Sequence, residues 1–117
     1  MIIAGQLQHA REVVEERAIN LESHRCALLS LHPHLPKENS QLLDTALLAQ
    51  VGVILTLSGP WTVDSVAQQL ADQYGAFPWD GPVGNGLTLD YYRSRFREMA
   101  RENLFLGRQM GLIPAEE

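Results

Sequence analysis

The sequence predicts an all-α protein, a single-domain bundle of about four main helices, roughly 5–31, 38–58, 62–75 and 88–110, around a buried central one. Three observations predict it. Residues 42–57 carry one charge, Asp44, and are apolar on every side, as a helix enclosed by its neighbours must be. Residues 5–31, 62–75 and 88–110 repeat apolar side chains every three or four positions, the helical period. Glycine, proline and capping residues stand between these segments, where helices begin and end.

In the first segment Leu7, Ala10, Val14, Leu21, Leu28 and Leu31 form a seam that Arg17 and His24 complete. One helix over 5–31 would be longer than about 35 Å at 1.5 Å per residue. A seam interrupted by polar side chains suits a partner chain as well as a dry core, so Leu7, Val14, Leu21 and Leu28 are candidates for self-association as a homodimer. Ile19, off the seam, is a candidate exposed contact. His32-Pro33-His34-Leu35-Pro36 then breaks the helix, because proline disfavours helical geometry in the residue before it.

The central segment is capped by Asn39 or Ser40 and stops at Ser58-Gly59-Pro60. It is too short for a bilayer span, which needs about 20 apolar residues. Its β-branched end, from Val51, suits a strand, but the apolar run starts at Leu42 with no turn signal before Gly52, which favours a helix. Gly52 costs about 1 kcal/mol of helix propensity and marks close approach of a neighbour.

Residues 62–75 carry the clearest local signal. Val63, Val66, Ala67, Leu70, Ala71 and Tyr74 share a face, Thr62 is the N-cap, Asp64 sits in the first turn, and Gly75 suits the position after the last turn. Residues 76–87 form a Gly/Pro-rich loop in which Asp80-Gly81 and Asn85-Gly86 are turn formers. Its Phe77 and Trp79 either anchor on the core or contact a partner. Thr88 caps the last helix, whose core face is Leu89, Tyr92, Phe96, Met99, Ala100, Gly107 and Met110. Arg93, Arg97, Arg101 and Arg108 lie on an adjacent face with Leu104, and Phe105 falls on the polar side. Residues 114–117 are expected to fray.

Composition narrows the function classes. The net charge of −5 opposes general nucleic-acid binding. One cysteine, Cys26, leaves no disulfide framework and suits a reducing compartment. Without a signal-type N-terminus, the expected location is cytoplasmic, with no membrane attachment. Acidity is uneven: 59–89 carry Asp64, Asp72 and Asp80 without Lys or Arg, whereas 90–113 carry five Arg against three acids.

Chemistry is sparse. His24, Cys26, His32 and His34 are the only metal-like cluster, and no second pair of ligands follows, so no metal and no cofactor are expected. Cys26 is read as a small buried hydrophobe and His32 and His34 as solvated. Gly81-Pro-Val-Gly84-Asn-Gly86 lacks the strand and lysine of a phosphate loop. No nucleophile–base set or acid pair stands out, so the chain is not read as an enzyme. It is expected to be a small interaction protein: an adaptor, antagonist or regulatory accessory protein, of a sort common in bacterial and prophage genomes. Its unidentified protein partner would meet Arg93, Arg97, Arg101, Leu104, Phe105 and Arg108, with Phe77 and Trp79 as an aromatic loop contact, because Arg and aromatic residues anchor interfaces. The alternative is a DNA-binding regulator. Residues 62–71 resemble the first helix of a helix-turn-helix, and 88–101 would supply the second. The connection from Gly75 to Leu87 is far longer than the usual three- or four-residue turn.

Overall fold

A computed structural model describes residues 4–115. Among them there are five α-helices, a short 3-10 turn and no strand. The helices are α1 (Ala4–Glu16), α2 (Arg25–Leu31), α3 (Ser40–Ile54), α4 (Val63–Tyr74) and α5 (Leu89–Gln109), with the 3-10 turn at Leu21–His24. The all-α helical bundle is as the periodicity predicts. The chain falls into two compact units: the residues up to Thr56 together with those from Phe105, and Leu57–Leu104. No described helix is long and apolar enough to cross a membrane.

The first unit is built on α3, against which α1, α2 and the 3-10 turn all pack. Leu43, Leu47, Leu48, Val51, Gly52 and Ile54 are buried, but Leu42 and Thr45 are exposed, so α3 is enclosed on one broad face rather than all round. Asn39 is the cap, its side chain accepting from Leu42 N–H at 3.0 Å. The helix stops short of the expected 58. Beyond Thr56 the chain enters the second unit, where Gln69 on α4 binds Ser58 at both its backbone N–H and its carbonyl, each at 2.8 Å, in place of helical partners.

The single helix expected over 5–31 is instead two. α1 ends with Ala18 in the left-handed region (φ 54°), Ala18 N–H bonding to Glu15 and Ile19 N–H to Val14. That pair of bonds is the Schellman ending, with alanine where glycine is usual. Asn20 then caps the 3-10 turn by accepting from Glu22 N–H, and the chain turns into α2. Arg25 opens α2 with a two-point bond to Asp44 on α3, at 2.8 and 2.7 Å. The Asp44 carboxyl is held below its ordinary range chiefly by that hydrogen bond from Arg25, whose charge adds to the effect, while desolvation opposes it. Ile19, expected to be an exposed contact, is half-buried.

α5 closes with the same motif. Gly111 (φ 74°) donates to Arg108, and Leu112 donates to Gly107 at 2.8 Å. Pro114 and Ala115 are exposed and non-helical; the last two residues of the expected frayed tail lie outside the described residues.

In the second unit Thr62 caps α4 by accepting from Ser65 N–H, and Thr88 caps α5 by accepting from Tyr91 N–H. Val66, Ala67, Leu70 and Ala71 of α4 are buried, as are Leu57 and, on α5, Tyr92, Phe96, Ala100 and Leu104. Gly75 differs from the expected left-handed ending: its backbone is extended (φ −77°, ψ 150°). Glycine is needed there because the Tyr92 hydroxyl occupies the space a Cβ would fill and the Ala71 carbonyl would lie only 2.6 Å from it.

Candidate functional site

The loop between α4 and α5 is tied to the first turns of α5, and these ties decide which side chains are available. The Tyr92 hydroxyl donates to the Phe77 carbonyl and accepts from the Phe77 N–H, and the two rings meet edge to face at 5.8 Å. Pro78–Gly81 and Gly84–Leu87 are turns closed by backbone bonds, the second carrying Asn85 and Gly86 at positive φ as that dipeptide predicts. Trp79 lies beneath two guanidinium groups, Arg93 at 5.1 Å and Arg97 at 5.6 Å from the ring centre. Arg93 also donates through Nε to the Trp79 carbonyl at 2.9 Å and pairs with Asp80 at 2.9 Å. Arg97 pairs through Nε with Asp64 at 2.8 Å. Phe77 and Trp79 are thus half-buried within the second unit, not an outward hook.

The six side chains expected to meet a partner have separate fates. Arg93 and Arg97 are engaged as above. Leu104 is only 4% exposed and belongs to the core. It follows Phe96 and Ala100 at four-residue steps, whereas Met99, assigned to the core from its spacing, is exposed. The buried stripe of α5 is wider than the one read off the sequence, taking in Leu104 on one border and Leu106 on the other. Arg108 donates to the Pro114 carbonyl at 3.2 Å and secures the chain after the helix. Arg101 and Phe105 stand open, Phe105 at 40%.

Of the expected self-association seam, Val14 and Leu28 are buried and Leu7 and Leu21 half-buried, on elements that pack against α3. Val14 and Leu28 therefore belong to the chain's own core, and Leu7 and Leu21 lie at its edge. Cys26, expected to be buried, is exposed. His34 is exposed, and His32, half-buried, meets its ring edge to face at 5.8 Å. Among the described residues no group of three or more His, Cys, Asp or Glu is placed to hold a metal ion.

Two features escaped the sequence reading. Asn103 is buried on α5, its amide donating to the Met99 carbonyl at 2.8 Å. Tyr91 is 53% exposed, the most open large apolar residue described. Helical spacing could have found it, since Tyr91 is one residue, about 100° of turn, from the buried Tyr92. Tyr91, Arg95 and Met99 follow one another at four-residue steps, so α5 carries one outward row with these three and a second with Arg93, Arg97 and Arg101. Arg95 is exposed and pairs with Glu98 at 3.3 Å.

No family model matches this chain, and neither a curated protein nor a solved structure shows significant similarity to it.

Proposed function

We propose that this chain is a small non-enzymatic protein-binding module, an adaptor or regulatory accessory protein, that engages another protein through α5. The observation that carries it is the open row Tyr91–Arg95–Met99, in which two large apolar side chains flank an arginine. Isolated exposed apolar residues are ordinary. A tyrosine, an arginine and a methionine in register on one helix combine the residue types enriched where proteins bind proteins.

Capture of the tagged full chain's partner from lysate of its own cells, after nuclease, tests this. Tyr91→Ala should weaken capture by about 2 kcal/mol or more, the scale of an aromatic anchor, with the circular-dichroism melt unchanged. Phe105→Ala, on the other compact unit, is a separate variant with the same readout. A partner held equally by the wild type and both variants would sink the proposal.

Less supports a DNA-binding regulator over 62–75 and 88–101. The connection between α4 and α5 is far longer than a helix-turn-helix turn, and the chain is acidic where phosphate contacts dominate affinity. Nucleic acid recovered with the tagged chain and lost with nuclease would reverse that preference.

A further inference from the structure

We infer that the Arg93–Arg97–Arg101 row of α5 is a docking site for an acidic, extended segment of the partner protein, and that this chain's own Asp64 and Asp80 compete for it. The inference rests on the protein-binding reading above and names the partner's chemistry.

The arginines are the fixed members of the cluster. The side chains of Arg93 and Arg97 are 24% and 31% exposed, and both are stacked on Trp79. The Arg93 bond to the Trp79 carbonyl needs no carboxylate. The acids are the loose members, Asp80 at 88% and Asp64 at 69% exposed. Pairs so open to water contribute little, so an incoming carboxylate displaces them at little cost. The donors are also not used up. Arg97 spends only Nε, leaving both terminal amino groups, and Arg101 makes no ion pair or hydrogen bond among the described residues.

Spacing points to the shape of the ligand. Arginines four residues apart are separated by about 6 Å along a helix. Alternate residues of an extended chain are about 6.6–6.8 Å apart and on one side, so carboxylates at every second position match the row. The groups already bound there are carboxylates, and a short acidic segment brings far less repulsion to a chain of net charge −5 than a duplex with a phosphate charge every 1.7 Å or so.

The test is fluorescence anisotropy of a labelled peptide of alternating glutamate and serine, titrated with the full chain at low salt. Asp80→Asn and Asp64→Asn should each tighten binding by about two- to fivefold, the release of one exposed pair. Asp72→Asn makes the same charge change on an exposed α4 residue with no arginine partner, and should do much less. Arg97→Gln and Arg101→Gln should each weaken binding by about tenfold. Asp80 lies outside any helix and nine-tenths in solvent, so its variant keeps the test valid even if Asp64→Asn destabilises α4. Affinity unmoved by both aspartate substitutions, or moved no more than by Asp72→Asn, would overturn the inference, as would no peptide binding in any variant. Tighter binding of a single-stranded oligonucleotide than of the peptide would overturn it in favour of nucleic acid. If partner capture still depends on Tyr91 while the peptide results fail, only the acidic-segment site falls.

Discussion

α1 and α5 end in the same way but with different residues. Each closes with a left-handed residue and the same two backbone bonds, yet α5 uses Gly111 and α1 uses Ala18. Glycine takes that conformation freely, whereas a side chain there costs about 1–2 kcal/mol. The two ends also touch: Arg17, next to Ala18, donates to the Gly111 carbonyl at 3.2 Å. α4 supplies the contrast, since its Gly75 has an ordinary backbone and is demanded by the Tyr92 hydroxyl beside it. The same letter in the sequence answers a backbone need in one place and a packing need in another.

Substitutions separate the two needs. Gly75→Ala should have the largest effect, a loss of about 2–3 kcal/mol in denaturant unfolding, because the new methyl displaces the Tyr92 hydroxyl from Phe77. Tyr92→Phe added to that variant should cost less than Tyr92→Phe alone, with the Ala71 carbonyl, 2.6 Å from the added Cβ, supplying the part of the Gly75→Ala loss that persists; simple additivity would mean that the hydroxyl contributes nothing to it. Gly111→Ala should lose about 1 kcal/mol, for backbone reasons alone, since nothing lies within 4 Å of the added Cβ. Ala18→Gly should gain about 0.5–1 kcal/mol by relieving the same conformation. If Ala18→Gly instead destabilises, the left-handed ending of α1 is wrong and a longer helix is restored as the better description.

The smallest expected effect lies just beyond that break, where Arg25 pins α2 to α3. With the folded Asp44 below its unfolded value, the pair contributes fully above the ordinary carboxylate range and is lost as pH falls through the lowered folded value. Asp44→Asn should therefore lower stability at neutral pH and flatten the acid limb of a stability–pH curve. An acid limb identical to the wild type's would show that Asp44 is not held low by Arg25.

The helical class and most helix starts are legible in the order of the residues. Thr62, Thr88 and Asn39 act on N–H groups two or three residues away, so their chemistry is contained in a few consecutive letters. Asn20 is just as legible as a cap, but the apolar seam runs past it with the period of a single helix. The wheel of α5 gives its buried face only to within a residue, because Met99 is exposed whereas Leu106, on the same side of the helix, is fully buried. The rest depends on groups far apart in the chain. Beside the bend at Ala18, Arg17 donates to the Gly111 carbonyl, a tie across 94 positions that no local pattern announces. Whether Arg93 and Arg97 face water or an indole depends on where a loop folds back, and loops carry no period from which that return can be read. Local hydrogen bonding is written in neighbouring residues; the use made of an exposed arginine is set by groups the chain brings from elsewhere.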